Sequence, residues 1–161
     1  MTTLPDSARK VAEAAAALGL SIDMKLHEAA TRTAEEAASA CGCEIGQIVK
    51  SLVFRGAETG TPYLLLVSGR NRVDEAALAG AIGEHLRRPD GKDVRALTGF
   101  AIGGIPPFGH ATRLFTIIDP DLLAFPLVWA AGGTPNTVFS VDPGRLAATI
   151  GARAMELKAQ D

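Results

Sequence analysis

The chain has 161 residues, enough for one compact domain with a sizeable core and too few for two ordinary enzyme domains. Hydrophobic residues make up 47% and charged residues 21%, a globular balance, while aromatics at 5% leave the core to Ala, Val, Leu and Ile. A net charge of −2 argues against a nucleic-acid coat held by bulk positive charge. A local basic rim is compatible with it, because Arg70, Arg72, Arg87, Arg88, Lys92, Arg95 and Arg113 gather in the middle third. The opening residues Met1-Thr2-Thr3-Leu4-Pro5-Asp6 lack the basic patch and apolar run of a secretory leader. No segment approaches the roughly 20 apolar residues of a membrane span. Cys41 and Cys43, one glycine apart, suit neither a structural bridge nor a closed zinc site. The expectation is a single cytoplasmic domain over 1–161, without membrane contact, metal or cofactor.

In chain order, Asp6–Leu18 is Ala-rich with Gly19 behind it and predicts a helix. Residues 22–26 alternate and predict a short strand. Thr33 and Glu36 have capping-box spacing, in which the Thr33 hydroxyl takes the Glu36 amide and Glu36 reaches back to the Thr33 amide; a helix from 34 to about 40 follows, ended by Gly42. Residues 47–54 and 63–68 predict strands joined as a hairpin by a polar stretch. Asp74 caps a helix to about Ile82, and 93–97 predicts a helical turn. Residues 114–118, 127–131 and 137–141 predict three further strands, and Pro143 opens a last helix to Ile150. Consecutive late strands imply antiparallel pairing, so the expected class is α+β, a mixed, largely antiparallel, barrel-like sheet surrounded by helices.

Three features stand out chemically. Lys50 lies in the run Ile48-Val49-Lys50-Ser51-Leu52-Val53-Phe54 and shares a strand face with Ile48, Leu52 and Phe54. An ammonium among apolar neighbours either snorkels to solvent or reaches a cleft, where it suits a phosphate, a developing oxyanion or, if desolvated, a base role. The loop Gly103-Gly104-Ile105-Pro106-Pro107 combines backbone freedom with stiffness and suits either a tight turn or a ligand-facing set of amides, but it has neither dinucleotide nor P-loop spacing. Ala131-Gly132-Gly133 ends an apolar strand as a hairpin turn or a pocket floor, with Thr134 and Asn136 as candidate hydrogen-bonding groups. His110 after the loop and His27 after the first strand are candidates to orient substrate or water. A Ser51-His110-Asp119 triad is disfavoured, because Ser51 faces away from Lys50 and has no nucleophile-elbow context.

Residues 33–38 leading into 48–54, then 99–109, then 113–119 with the Gly132-Gly133 turn beyond, resemble in order and spacing the YbaK/ProX (YbaK/EbsC) family of aminoacyl-tRNA deacylases. That family is related to the editing domain of prolyl-tRNA synthetase, and the resemblance covers about residues 20–157. It implies an α/β pseudo-barrel domain that hydrolyses the ester of a mischarged tRNA. By this resemblance Lys50 matches the family lysine held to position the terminal adenosine phosphate or to assist cleavage, and 103–107 matches the loop that contacts the aminoacyl group. The candidate set is therefore Lys50 and Gly103 as catalytic, with Gly104, Ile105, Pro106, Pro107, His110, Ala131, Gly132, Gly133 and His27 as substrate-binding. Pro106, Ala131 and Val138 depart from the cysteinyl-tRNA(Pro) branch, which commonly has Ser, Ser and an acidic residue there. The departures imply a small, less polar pocket and a tRNA(Pro) carrying a residue such as alanine. The implied partners are the aminoacyl-tRNA acceptor end and a synthetase, with the chain a monomer or homodimer. A non-catalytic tRNA-end or aminoacyl-ligand module and a general small-ester esterase are the competing readings.

Overall fold

The computed structural model describes residues 3–159; the ends of the expected 1–161 domain, with Met1 and Thr2 of the segment read for a leader, lie outside them. Helix α1 (Asp6–Leu18) keeps its expected bounds and buries Ala8, Val11 and Ala15, which recur at three- and four-residue spacing. After β1 (Asp23–Leu26), Thr33 caps α2 (Ala34–Cys41) by accepting the Glu36 N–H at 3.0 Å. The second half of the expected capping box is displaced by one residue: Glu36 accepts from the Arg32 N–H at 2.8 Å, because Thr33 is extended and brings the preceding amide over the first turn.

Strands β2 (Val49–Gly56) and β3 (Pro62–Ser68) form the expected hairpin, with Lys50 opposite Val67 and Phe54 opposite Tyr63. β2 starts later than expected because Ile45–Gln47 is a 3-10 turn whose Gln47 side chain closes on the Glu44 N–H. Asp74 and Asp90 cap α3 (Glu75–Ile82) and α4 (Gly91–Thr98), on either side of the two-residue strand β4 (Leu86–Arg87). The chain then runs through β5 (Phe115–Ile118), β6 (Val128–Ala131), β7 (Thr137–Val141), α5 (Pro143–Ile150) and β8 (Arg153–Ala154).

These strands make two sheets. One has the order β1-β7-β6 and is antiparallel throughout; the other has the order β4-β2-β3-β5-β8. Here the expectation of three antiparallel late strands fails for β5, which pairs parallel to β3 and to β8. The reason lies in β3. Leu64 and Leu66 enter one core cluster, and Leu65 and Val67 enter another, so this strand is buried on both faces and sits inside a sheet. The crossover carrying α3 and α4 delivers β5 to its open edge, and a crossover of that length returns a parallel strand. An Ile48–Trp129 bridge then links β2 to β6 and joins the two sheets into a partial barrel. The result is the α+β, mixed and largely antiparallel architecture expected, with helices around it.

The larger cluster joins α1, α4 and α5 to both sheets through Val11, Leu64, Leu66, Phe139 and Leu146. A smaller one, of Ala38, Ile48, Trp129 and Val138, lies where the sheets meet. Leu66 is wholly buried at the centre of β3. Leu66→Ala is expected to cost about 2–5 kcal/mol by chemical denaturation, because rigid neighbours on both strands leave a cavity.

Candidate active site

At the junction of the two sheets β2 and β6 touch at Ile48 and Trp129, and the space beside that contact is a cleft of about 280 Å³. Strand β2 contributes Val49, Lys50, Ser51 and Leu52 to its wall, with Ile48 just ahead of it; β6 contributes Trp129, Ala130 and Ala131. Val138 of β7, Ala34 and Ala37 of α2, and Ile102, Gly103 and Ile105 of the loop form further sides, and Thr31, Arg32, Thr33, Pro135 and Thr137 complete the lining. The lining is mainly small and apolar, with a few polar groups, as in a site for a small ligand. Among the described residues no group of three or more potential metal ligands occurs.

Of the sequence-predicted residues, Lys50, Gly103, Ile105 and Ala131 line this cleft together. The expected alternation along β2 holds, since Leu52 and Phe54 pack in one cluster and Val49 and Val53 in another. Lys50 is partly buried, and its ammonium donates to the main-chain carbonyl of Asn71. Burial pulls its pKa below the ordinary lysine value; Asp119 and Glu35 oppose that shift, and Arg72 adds to it. Ser51 also lines the cleft, and its buried hydroxyl has no hydrogen-bond partner among the described residues. A buried unpaired hydroxyl is costly, so a group that joins it in the cleft gains by doing so.

The loop and the Gly132-Gly133 turn pack backbone to backbone. A Cβ on Gly104 would lie 2.8 Å from the Gly133 carbonyl oxygen, and one on Gly133 would lie 2.6 Å from that of Ser7 in α1. Gly103 and Gly133 take φ of 96° and 106°, where L side chains are strained. The Gly104 N–H is spent inside the loop on Ala101 at 3.0 Å, whereas the Gly103 N–H meets no acceptor among the described residues. Within 103–107 the Gly103 and Ile105 N–H groups are thus the amides without a partner among the described residues, and both residues line the cleft.

The other predicted residues stand outside the lining. Gly104, Gly132 and Gly133 form the close-packed support just described, with Gly132 against Met24. Pro106 and Pro107 are buried, and His110 bonds the Pro106 carbonyl through Nε2 at 2.7 Å, bracing the loop. Burial lowers the His110 pKa, which favours a neutral ring there. His27 lies beside the Cys41 thiol, and its main chain exchanges hydrogen bonds with Asn136. Thr134 and Asn136, read as candidate ligand groups, spend their side chains on each other, on Thr137 and on His27. Ser51, His110 and Asp119 do not assemble: His110 faces Pro106, while Asp119 accepts from Ser68, Asn71 and Asp121. Asn71 and the α2 wall escaped the sequence reading, although the polar turn 69–72 directly after a buried strand was a usable signal for the former.

A cleft lined by a lysine and a glycine loop at the junction of two sheets marks this as an α+β domain built around a small-ligand site. The profile of the aminoacyl-tRNA editing domain matches residues 28–149. The chain belongs to that family, of YbaK/EbsC type, and is a hydrolase acting on aminoacyl-tRNA. It is 32% identical over 124 residues to the uncharacterised YwhH of Bacillus subtilis, covering 77% of this chain and 78% of that one. It is 29% identical over 129 residues to EbsC of Enterococcus faecalis, a proposed Cys-tRNA(Pro)/Cys-tRNA(Cys) deacylase, covering 71% and 75% of the two chains. A crystal structure described as a proposed trans-editing enzyme for prolyl tRNA synthetase superposes with a TM-score of 0.92 at 50% identity, over 98% of this chain and 100% of the other.

Gly104→Ala is expected to lower stability by about 1–3 kcal/mol, because its methyl has only main chain to push against. Thermal melting measures that cost. An unchanged melting temperature would show that the loop and turn are not held together by this contact.

Proposed function

We propose that the chain is a trans-acting deacylase that hydrolyses the ester between a small amino acid, alanine first, and the 3′ end of tRNA(Pro). The observation that carries this reading is the meeting of Lys50 and the Gly103 N–H on one small apolar cleft. An aminoacyl ester is already activated, so orientation and oxyanion stabilisation suffice and no nucleophilic side chain is needed. Water adds to the carbonyl carbon, the negative charge gathers on the carbonyl oxygen, and in this reading the Gly103 N–H donates to it. The bond to the ribose oxygen then breaks, and that oxygen leaves with a proton. Lys50 serves as a fixed charge for the terminal phosphate or the oxyanion.

Ala37, Val49, Ala130, Ala131 and Val138 give the side-chain end of the cleft its size and apolar character. A site of this kind complements a synthetase that discriminates one methylene by only about 1–3 kcal/mol. The EbsC relative is described as acting on cysteinyl esters; Ala131 and Val138 in this lining favour a less polar side chain. The acceptor end is the part of the tRNA engaged, in the cytoplasm, with a synthetase supplying further affinity. Among the described residues no helix is long and apolar enough to cross a membrane.

A panel of mischarged tRNAs tests the reading, with wild type and Lys50→Ala side by side. Alanyl-tRNA(Pro) is expected to turn over fastest, and Lys50→Ala to lose roughly 10²–10³-fold in kcat/KM. A preference for cysteinyl-tRNA would overturn the side-chain assignment. Rapid turnover of simple esters without RNA would favour an esterase, and no turnover of any substrate would favour a binding module. The pH profile separates the two roles of Lys50. Its folded pKa is lowered, so the cation is present below that value and is lost as pH rises through it. Activity that depends on the charge therefore falls on the alkaline side, below the ~10.4 of a free lysine, whereas a lysine base would make it rise.

A further inference from the structure

We infer that Asn71, gripped by the carboxylates of Asp119 and Asp121, is a positioning residue that fixes the Lys50 ammonium at the cleft. The inference rests on the reading of Lys50 as the charge of the site. Asn71 follows β3, and its N–H closes the turn on the Ser68 carbonyl at 2.9 Å. Its side-chain amide donates to Asp119 at 2.7 Å and to Asp121 at 2.8 Å, so both amide hydrogens are spent. Its main-chain carbonyl is then presented to Lys50.

The grip is built from the inside outwards. Asp119 is wholly buried and also accepts the Ser68 N–H at 3.0 Å and the Asp121 N–H at 2.9 Å. Asp121, nearer the surface, also accepts from Lys158 at 3.1 Å. A side chain that must serve two carboxylates at once has to offer two donors and no negative charge, which is what an Asn amide provides. Neither carboxylate bonds Lys50 directly.

That indirect arrangement has a chemical use. A lysine paired with an aspartate would be largely neutralised before any substrate arrived. A carbonyl instead takes one of the three ammonium hydrogens, leaves two for a phosphate or oxyanion, and adds no charge. The buried Asp119 still favours the charged form from a distance, as does Glu35, against the burial and Arg72 that oppose it. Lys50 is thereby kept cationic, fixed and unpaired.

The test follows Lys50 itself, by NMR titration of its side chain in the full-length protein, alongside kcat and KM on mischarged tRNA. Asn71→Ala is expected to move the Lys50 titration to lower pH and to reduce kcat about ten-fold, with KM within about two-fold of wild type. Asp121→Ala, which leaves the Asp119 grip in place, is expected to move both in the same direction by less. Folded variants whose Lys50 titrates as in wild type would overturn the inference, whatever their activity. If Asn71→Ala does not fold, Asp121→Ala decides alone by the same criterion. A wild type without deacylase activity, in which these variants still move the Lys50 titration, would leave the grip standing and remove the deacylase reading instead.

Discussion

The loop at 103–107 and the turn at 132–133 meet with nothing between them but main chain, since a Cβ at Gly104 would fall 2.8 Å from the Gly133 carbonyl oxygen. Gly133 in turn lies against the first turn of α1, where the Ser7 carbonyl allows it no side chain either. Three segments far apart in sequence are thus stacked through two glycines. This contact sets how near the loop comes to β6, and hence the width of the cleft and the place of the Gly103 amide. His110 holding the Pro106 carbonyl and Asn136 holding His27 stiffen the two flanks. Gly104, Gly133, His110 and His27 thus frame the cleft without lining it.

Across the cleft stands Lys50, and its placement depends on a different constraint. Strand β2 lies at the joint between the sheets, paired with β3 along its length and bridged to β6 through Ile48 just ahead of it. Lys50 and Ser51, paired on one edge with Val67 and Leu66 of β3, both line the cleft. A charged side chain in a strand is costly when sheet packing covers it. The cleft beside Lys50 lessens that cost without removing it, since burial still lowers the lysine's pKa, and it provides space for a substrate.

Much of this was legible in the sequence wherever the signal was local. Gly19 after an Ala-rich run, Asp74 before one helix and Pro143 at the start of another, and the polar stretch between two apolar strands all correspond to elements with nearly the expected bounds. The parallel placement of β5 was not legible, because it is decided by the burial of β3 on both faces, and that depends on which helices cover it. The two-residue strands β4 and β8 are too short to leave a pattern. At the site, Lys50 was visible as a cation among apolar strand residues, and the loop as an unusual density of Gly and Pro. The polar turn marked Asn71, but its hydrogen bonds were not visible, since Asp119 and Asp121 that accept them lie some fifty positions away. The local sequence around His110 did not show that its ring turns to the Pro106 carbonyl, nor that around His27 that it lies beside Cys41.

The claim at the centre of this account is that Lys50 and the Gly103 N–H address one bound ester from two sides. A crystal structure with a non-hydrolysable amide analogue of 3′-alanyl-adenosine tests it most directly. The account predicts the alanyl methyl against Ala131 and Val138, the analogue's carbonyl oxygen within hydrogen-bonding distance of the Gly103 N–H, and the Lys50 ammonium on the phosphate or that oxygen. An analogue bound elsewhere, or bound in the cleft with its carbonyl turned away from Gly103 and its polar groups out of reach of Lys50, would contradict it.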